Sequence, residues 1–245
     1  MISEKAVNEK TCRNFGYAEL FHNTFGDSYE FIDKIISVSD KVFELKKDEK
    51  TVSGACTFEV SIKYGASFLK GAYVYGAATD KEYRNCGYFS KICREVYDFY
   101  ASRGFGFLMT VPASKELFSL YGHMGFDVRA NGVISLCSDK TSIILPEECE
   151  FFEFDGDFDR LYSLHLENDI LIKSKEVFIA SVSELEIKYV GNKSGFGYAL
   201  FDGDKMVFAS LCGTKYESAE KACFRFIGEK KALPENLLCD VVFEI

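Results

Sequence analysis

The chain has 245 residues, 47% of them apolar, with 24 Phe, 14 Tyr and only three Pro, which excludes a disordered chain and allows one large domain or two ordinary ones. Its net charge of −9 is unevenly spread: residues 1–146 carry 18 Lys and Arg against 18 Asp and Glu, and residues 147–245 carry 11 against 20. An acidic second part argues against nucleic acid as a partner, while the neutral first part can accept an anionic ligand.

No stretch approaches the roughly 18 uninterrupted apolar residues of a membrane span, and the N-terminus lacks a basic start followed by an apolar run. No membrane partner and a cytoplasmic location are therefore expected. The nine Cys are scattered singly and the three His lie far apart, so the expectation is reduced thiols in apolar positions and no metal site.

In chain order, residues 11–24 and 27–38 have apolar residues near the helical period, with Asp27 or Ser28 placed to cap the second helix. Strands are expected at Lys41 to Leu45, Thr51 to Ile62 and Phe68 to Thr79, as an antiparallel meander. After the third strand comes Arg84-Asn85-Cys86-Gly87-Tyr88-Phe89-Ser90, opening an amphipathic helix with Ile92, Cys93, Val96 and Tyr100 on its inner face. A strand, a turn and a helix N-terminus make an anion site, because the first helical N–H groups lack internal partners and the helix dipole is positive there. Arg84 suits phosphate oxygens and Gly87 frees the backbone, so this loop reads as a pyrophosphate cradle.

Gly104 ends that helix. A buried strand at Phe105 to Val111, a helix opened by Pro112-Ala113-Ser114 with Leu117, Leu120, Tyr121 and Met124 inside, and a strand from Phe126 to Leu136 follow. In this order residues 11–136 resemble the GNAT superfamily of acyl-CoA-dependent N-acyltransferases. The cofactor loop of that family, Arg or Gln, two residues, Gly, one residue, Gly or Ala, corresponds to Arg84-Asn85-Cys86-Gly87-Tyr88-Phe89, with Phe89 departing from the small residue usual at the last position. Tyr121 and Gly125-Phe126 match a second family element, in which Ser114 stands where Asn is frequent.

The resemblance implies an α/β fold of the α+β type: a mixed, mostly antiparallel central sheet flanked by helices. It implies acetyl-CoA as co-substrate, its diphosphate on the backbone of Cys86, Gly87, Tyr88, Phe89 and Ser90 beside Arg84 and Asn85, its pantetheine paired along Ala77, Ala78 and Thr79. Ser114 is placed by the resemblance near the same site. It also implies direct transfer of acetyl to a primary amine in a ternary complex, with Tyr121 as general acid for the departing thiolate. The acceptor is a small-molecule or peptide amine. Glu30, Glu59 and Asp80 are candidate bases, His123 adjoins the second element, and Phe25, Tyr29, Tyr73 and Tyr75 are candidates for an acceptor pocket. Each has a structural alternative: Tyr121 lies on the apolar face of its helix, where a core tyrosine with a satisfied hydroxyl is the rival reading. The alternative function is a non-catalytic acyl-CoA-binding regulatory module.

Residues 139–149 read as a linker between a catalytic domain at 1–138 and a second unit at 150–245. In the second unit strands are expected at Phe151 to Phe154, Glu186 to Val190, Gly197 to Phe201 and Met206 to Leu211, with helices near Asp157 to Glu167 and Ser174 to Leu185. A helix over Glu217 to Ile227 and a strand at Leu238 to Ile245 complete it. This order resembles a degenerate, shortened GNAT-like unit, and Leu211 to Glu217 lacks the cofactor loop, so one cofactor site per chain is expected. Such a unit can complete the sheet, cover the acceptor pocket or form a homodimer contact.

Overall fold

The computed structural model describes residues 16–133, 142–169, 171–217, 220–234, 237, 239 and 240. Two helices, α1 (Gly16–Phe25) and α2 (Tyr29–Val38), precede three long strands, β1 (Lys41–Lys47), β2 (Lys50–Tyr64) and β3 (Ser67–Thr79). Ser28, not Asp27, caps α2: its hydroxyl accepts from the Phe31 N–H at 3.2 Å. A 3₁₀ turn at Lys81–Tyr83 leads into α3 (Tyr88–Ala101), then β4 (Phe107–Thr110), α4 (Lys115–His123) and β5 (Val128–Val133).

The remaining elements are β6 (Ser142–Ile144), β7 (Glu150–Glu153), α5 (Phe158–Asn168), β8 (Leu171–Lys173), α6 (Lys175–Val182), β9 (Glu186–Asn192), β10 (Gly195–Asp202), β11 (Lys205–Ser210), β12 (Lys215–Glu217), β13 (Glu220–Phe226) and β14 (Cys239–Asp240). The main sheet runs β1-β2-β3-β4-β13-β5-β14, with β8 also on β2. Its pairs are antiparallel except β3 with β4 and β5 with β14. A second sheet runs β11-β10-β9-β7, and β12 pairs with β6.

Alternation along the strands sends successive side chains to opposite faces of the main sheet. Cys56, Phe58, Tyr73, Phe107, Met109 and Phe224 pack under Tyr17, Leu20, Phe21, Ile32 and Ile35 of the first two helices. Ala55, Ala72, Val74, Leu108 and Cys223 face Ile92, Val96, Tyr100 and Tyr121 of α3 and α4. The second sheet buries Leu161 and Leu164 of α5 and Phe178 of α6 on one face.

The helix expected over Glu217 to Ile227 is a correction: this segment ends β12 and forms β13, which lies between β4 and β5. The spacing of Ala222, Cys223 and Phe226 imitates a helical face, but Ala222, Cys223 and Phe224 are each fully buried, and a central strand covered on both faces requires such a continuous apolar run. The strands of residues 150–240 are thus divided: β7, β9, β10 and β11 form their own sheet, whereas β8, β13 and β14 join the sheet of residues 41–133. Of the final strand expected at Leu238 to Ile245, Cys239 and Asp240 form β14, and Leu238 and residues 241–245 lie outside the described residues, as do residues 11–15 of the first expected helix and 134–136 of the strand expected from Phe126 to Leu136.

Candidate active site

The site begins where β3 and β4 part. They pair in parallel only over Gly71, Ala72 and Tyr73 opposite Phe107, Leu108 and Met109. Beyond Tyr73 the last half of β3 has no ladder on that side. The Thr110 hydroxyl donates to the Val74 carbonyl at 2.9 Å where the gap opens. On its other side β3 carries a bulge: Tyr75 pairs with Cys56 and Ala78 with Gly54, so Gly76 and Ala77 together face the single residue Ala55. Gly76 has φ +58°, and a Cβ there would lie 2.3 Å from the Phe21 ring and 2.5 Å from the Tyr17 hydroxyl oxygen, so the position admits only glycine. Tyr17, fully buried, donates its hydroxyl to the Gly76 carbonyl at 2.9 Å and lies 3.5 Å from that of Tyr75. The Cys56 thiol also reaches the Tyr75 carbonyl, at 3.6 Å.

The cradle follows directly. Asp80 caps the 3₁₀ turn by accepting from the Glu82 N–H at 2.9 Å, and it pairs with Lys50 at 2.7 Å. The Lys50 hydrogen bond, helped by the Glu82 N–H, holds its carboxyl below the usual range, so Asp80 is a structural anion and not a poised base. Arg84 donates from Nε to the Thr79 carbonyl at 3.2 Å, tying the cradle to the end of β3, and the residue remains exposed. Asn85 and Gly87 both have left-handed backbones, with φ +61° and +80°. Gly87 caps α3 without any side-chain hydrogen bond, and no acidic residue occupies the first turn. A Cβ on Gly87 would meet nothing within 4 Å, so the space before the helix terminus is open. A 14-residue helix whose first N–H groups are left uncapped, facing open space, fits a diphosphate.

Cys86 is exposed in this loop, whereas Cys56, Cys93 and Cys223 are buried free thiols. Tyr88 stands edge-on to Tyr83, with ring centroids 6.0 Å apart, and Ser90 is half-buried in the first turn. Phe89 turns inward, its ring edge-on to that of Tyr121 at 5.3 Å. The bulky residue at the last loop position therefore packs between the cradle and α4, outside the open space beyond Gly87.

A cleft of about 190 Å³ occupies the gap between β3 and β4. Its floor includes Val74, Gly76, Ala77 and Thr110, and its far wall Val111, Leu117 and Tyr121. Ala78 is buried and its carbonyl accepts from the Ser53 hydroxyl at 3.0 Å, while the Thr79 hydroxyl shares a hydrogen bond with Ser53 at 2.9 Å. Tyr121 is 7% exposed, held by Phe89 and by Phe126 at 5.5 Å, and its hydroxyl shares a hydrogen bond with Thr110. Burial, reinforced by nearby Cys93, pushes the phenol pKa well above its ordinary value, so it is a proton holder across the neutral range.

Other sequence candidates fall elsewhere. Ser114 caps α4 in an extended conformation, exposed, its hydroxyl engaged by Glu116 and outside the cleft lining. Glu59 pairs with Lys70 at 2.9 Å, and Glu30 is exposed on α2 outside the lining. His123 pairs its Nδ1 with the Ser119 carbonyl at 2.8 Å on the surface of α4. Phe25, Tyr73 and Tyr75 do line the cleft, while Tyr29 stacks on His22 at 4.6 Å. Asp27, read from sequence only as a helix cap, enters the lining because Ser28 takes the cap. The signal that could have found it is Gly26, whose φ of +86° turns the chain between two helices and directs the next residue. Tyr17 and Thr110 were not legible as site residues, since each looks like an ordinary core position.

In the second sheet the Leu211 to Lys215 loop leads into β12, so no helix N-terminus follows it. Among the described residues no helix is long and apolar enough to cross a membrane.

Comparison with known proteins gives this geometry a family. Residues 9–129 match the model of the acetyltransferase (GNAT) domain. No curated protein matches the sequence. Among solved structures, the chain is similar to a conserved protein of unknown function from Enterococcus faecalis V583 described as a probable N-acyltransferase, at 12% identity over 86% of this chain and 70% of that one, with a TM-score of 0.63. It is similar to Eis1 from Mycobacterium abscessus at 7% identity, over 89% and 72% of the two chains, with a TM-score of 0.61. For a GCN5-related N-acetyltransferase from Anabaena variabilis the identity is 10%, the shares 92% and 71%, and the TM-score 0.60. At these identities the likeness to solved structures is one of fold. Uncapped helix terminus, splayed strands and family match together make residues 9–129 a GNAT acetyltransferase domain, and the chain an acetyl-CoA-dependent N-acetyltransferase of that type.

Proposed function

We propose that the chain transfers acetyl from acetyl-CoA to a primary amine by direct attack in a ternary complex, with Tyr121 as general acid. The observation that carries this reading is the contact of Phe89 with Tyr121: it sets the first turn of the uncapped helix against the buried phenol that lines the cleft between β3 and β4. The backbone of Cys86, Gly87, Tyr88, Phe89 and Ser90, with Asn85 shaping the loop and Arg84 beside it, would hold the diphosphate. The unpaired side of β3 at Ala77, Ala78 and Thr79 would pair with the amide-bearing arm. Acetyl-CoA supplies an activated thioester and a thiolate leaving group. The bulge at Gly76 and Ala77 takes backbone N–H groups out of the regular ladder, and one turned into the cleft donates to the thioester carbonyl oxygen. Tyr121, kept protonated by burial, gives its proton to the departing sulfur. Residues 150–245 are read as a shortened second unit, with no cradle among its described residues, and β13 from it joins the catalytic sheet.

Tyr121→Phe tests this. Thiol release measured with acetyl-CoA and a panel of primary amines should fall by about 10²–10³ in kcat, while CoA affinity by calorimetry holds. Wild-type protein that binds CoA and acetylates none of the panel supports the binding-module alternative instead.

A further inference from the structure

Asp27 stands apart from every other residue of the cleft. Among the described residues that line it, Asp27 is the sole formally charged side chain, and it has no ion-pair partner among the described residues. The carboxylate is partly withdrawn from water at the turn between α1 and α2, with its main-chain carbonyl fixed by His22 Nδ1 at 2.7 Å. The walls beside it are aromatic. Phe21 lies 4.7 Å from Phe25 and 6.0 Å from Tyr75, the latter pair stacked, and Tyr75 is 5.8 Å from Tyr73. Phe25 lines the cleft with 47% of its surface exposed, so its ring is open to an apolar ligand.

A lone carboxylate in an otherwise uncharged, aromatic-walled cleft calls for one cation and an apolar body. Resting on the acyl-transfer reading above, we propose that Asp27 anchors the acceptor as its ammonium, which releases one proton to water at the open cleft before the neutral nitrogen attacks, and that the cleft takes a primary amine carrying one positive charge on an apolar or aromatic body. The arrangement disfavours polycations, whose further charges would meet no second carboxylate, and zwitterionic amino acids, whose own carboxylate would face Asp27. Burial already raises the Asp27 pKa, against its own backbone N–H and His22, which is the state an incoming cation would relieve. The anchor fixes the amine at the α1 side of a cleft whose opposite wall holds Tyr121.

The test measures initial thiol release at saturating acetyl-CoA with phenethylamine, spermidine and phenylalanine. Phenethylamine should have a kcat/KM at least about tenfold above the others. Asp27→Asn should raise its KM by about tenfold to a hundredfold, the range of a charge-assisted hydrogen bond, with the acetyl-CoA KM unchanged. Asp27→Glu should restore part of the loss, which a purely structural role for Asp27 would not produce. An unshifted phenethylamine KM in Asp27→Asn, or a preference for spermidine or phenylalanine, overturns the anchor and leaves acyl transfer to amines standing. A wild-type protein that binds CoA yet acetylates none of the three and no other primary amine removes the acyl-transfer reading, and the anchor with it. Should Asp27→Asn fail to fold, the wild-type order of the three amines and Asp27→Glu still decide.

Discussion

Tyr17→Phe isolates the bulge in β3 from everything else at the site. The substitution removes one hydroxyl from a fully buried ring, leaving the aromatic packing against Phe21 at 5.7 Å in place. The half-buried Gly76 carbonyl, which accepts from that hydroxyl at 2.9 Å, loses this bond. Losing a partly buried hydrogen bond costs about 0.5–1.5 kcal/mol, which for a chain of this size corresponds to a fall of about 1–6 °C in thermal midpoint. The bulge then keeps the weaker Cys56 thiol contact, the Ser53 bond to the Ala78 carbonyl and the flanking ladder, but no side-chain donor to Gly76. If the bulge supplies the N–H that polarises the thioester, kcat should fall about tenfold, less than the 10²–10³ seen when an oxyanion donor is deleted outright. The assay is paired thermal unfolding and steady-state thiol release, with CoA affinity as control, since the cradle is untouched. A lowered midpoint with unchanged kcat would refute the positioning role and leave Tyr17 as core alone.

Gly87→Val forces a β-branched residue into a left-handed backbone and projects its side chain into the open space before α3; the acetyl-CoA KM should rise by at least about tenfold while amine KM holds, and equal KM values for acetyl-CoA in both proteins would remove the cradle. The kcat of the wild type should show no falling limb attributable to Tyr121 between pH 7 and its ordinary pKa of about 10, because burial raises that pKa and the phenol stays protonated; pH–rate profiles of wild type and Tyr121→Phe check this. Stability should decline at alkaline pH. Burial pushes the Cys56, Cys93 and Cys223 thiols up to about 12 from 9.0, so the unfolded chain releases these protons first and folded-state advantage, intact below pH 9, is lost as pH rises from 9 toward 12. Three such thiols set a limiting slope of about 4 kcal/mol per pH unit, measurable by denaturant titration.

The first half of the fold was legible because local and global signals agree there. The face of Ile92, Val96 and Tyr100, the alternation in the long strands and the turn residues between them all favour the elements that form. The segment at Glu220–Phe226 shows the opposite case. Its apolar spacing suits a helix as well as a buried strand, and the deciding fact, an empty place between β4 and β5, is made by residues far away in the chain. The cradle was readable for a related reason: Gly87 and the helix after it act within a few residues of each other.

The amino-acid sequence by itself determined the elements around the cradle, the uncapped start of α3 and the family they resemble, since these depend on local spacing, propensity and backbone freedom. Tertiary structure alone decided which groups meet across the gap between β3 and β4: Tyr17 under the bulge, Tyr121 against Phe89, and Asp27 released into the cleft by Ser28 taking the cap. Such meetings depend on register, strand splay and packing between segments tens of residues apart, quantities that no local pattern encodes.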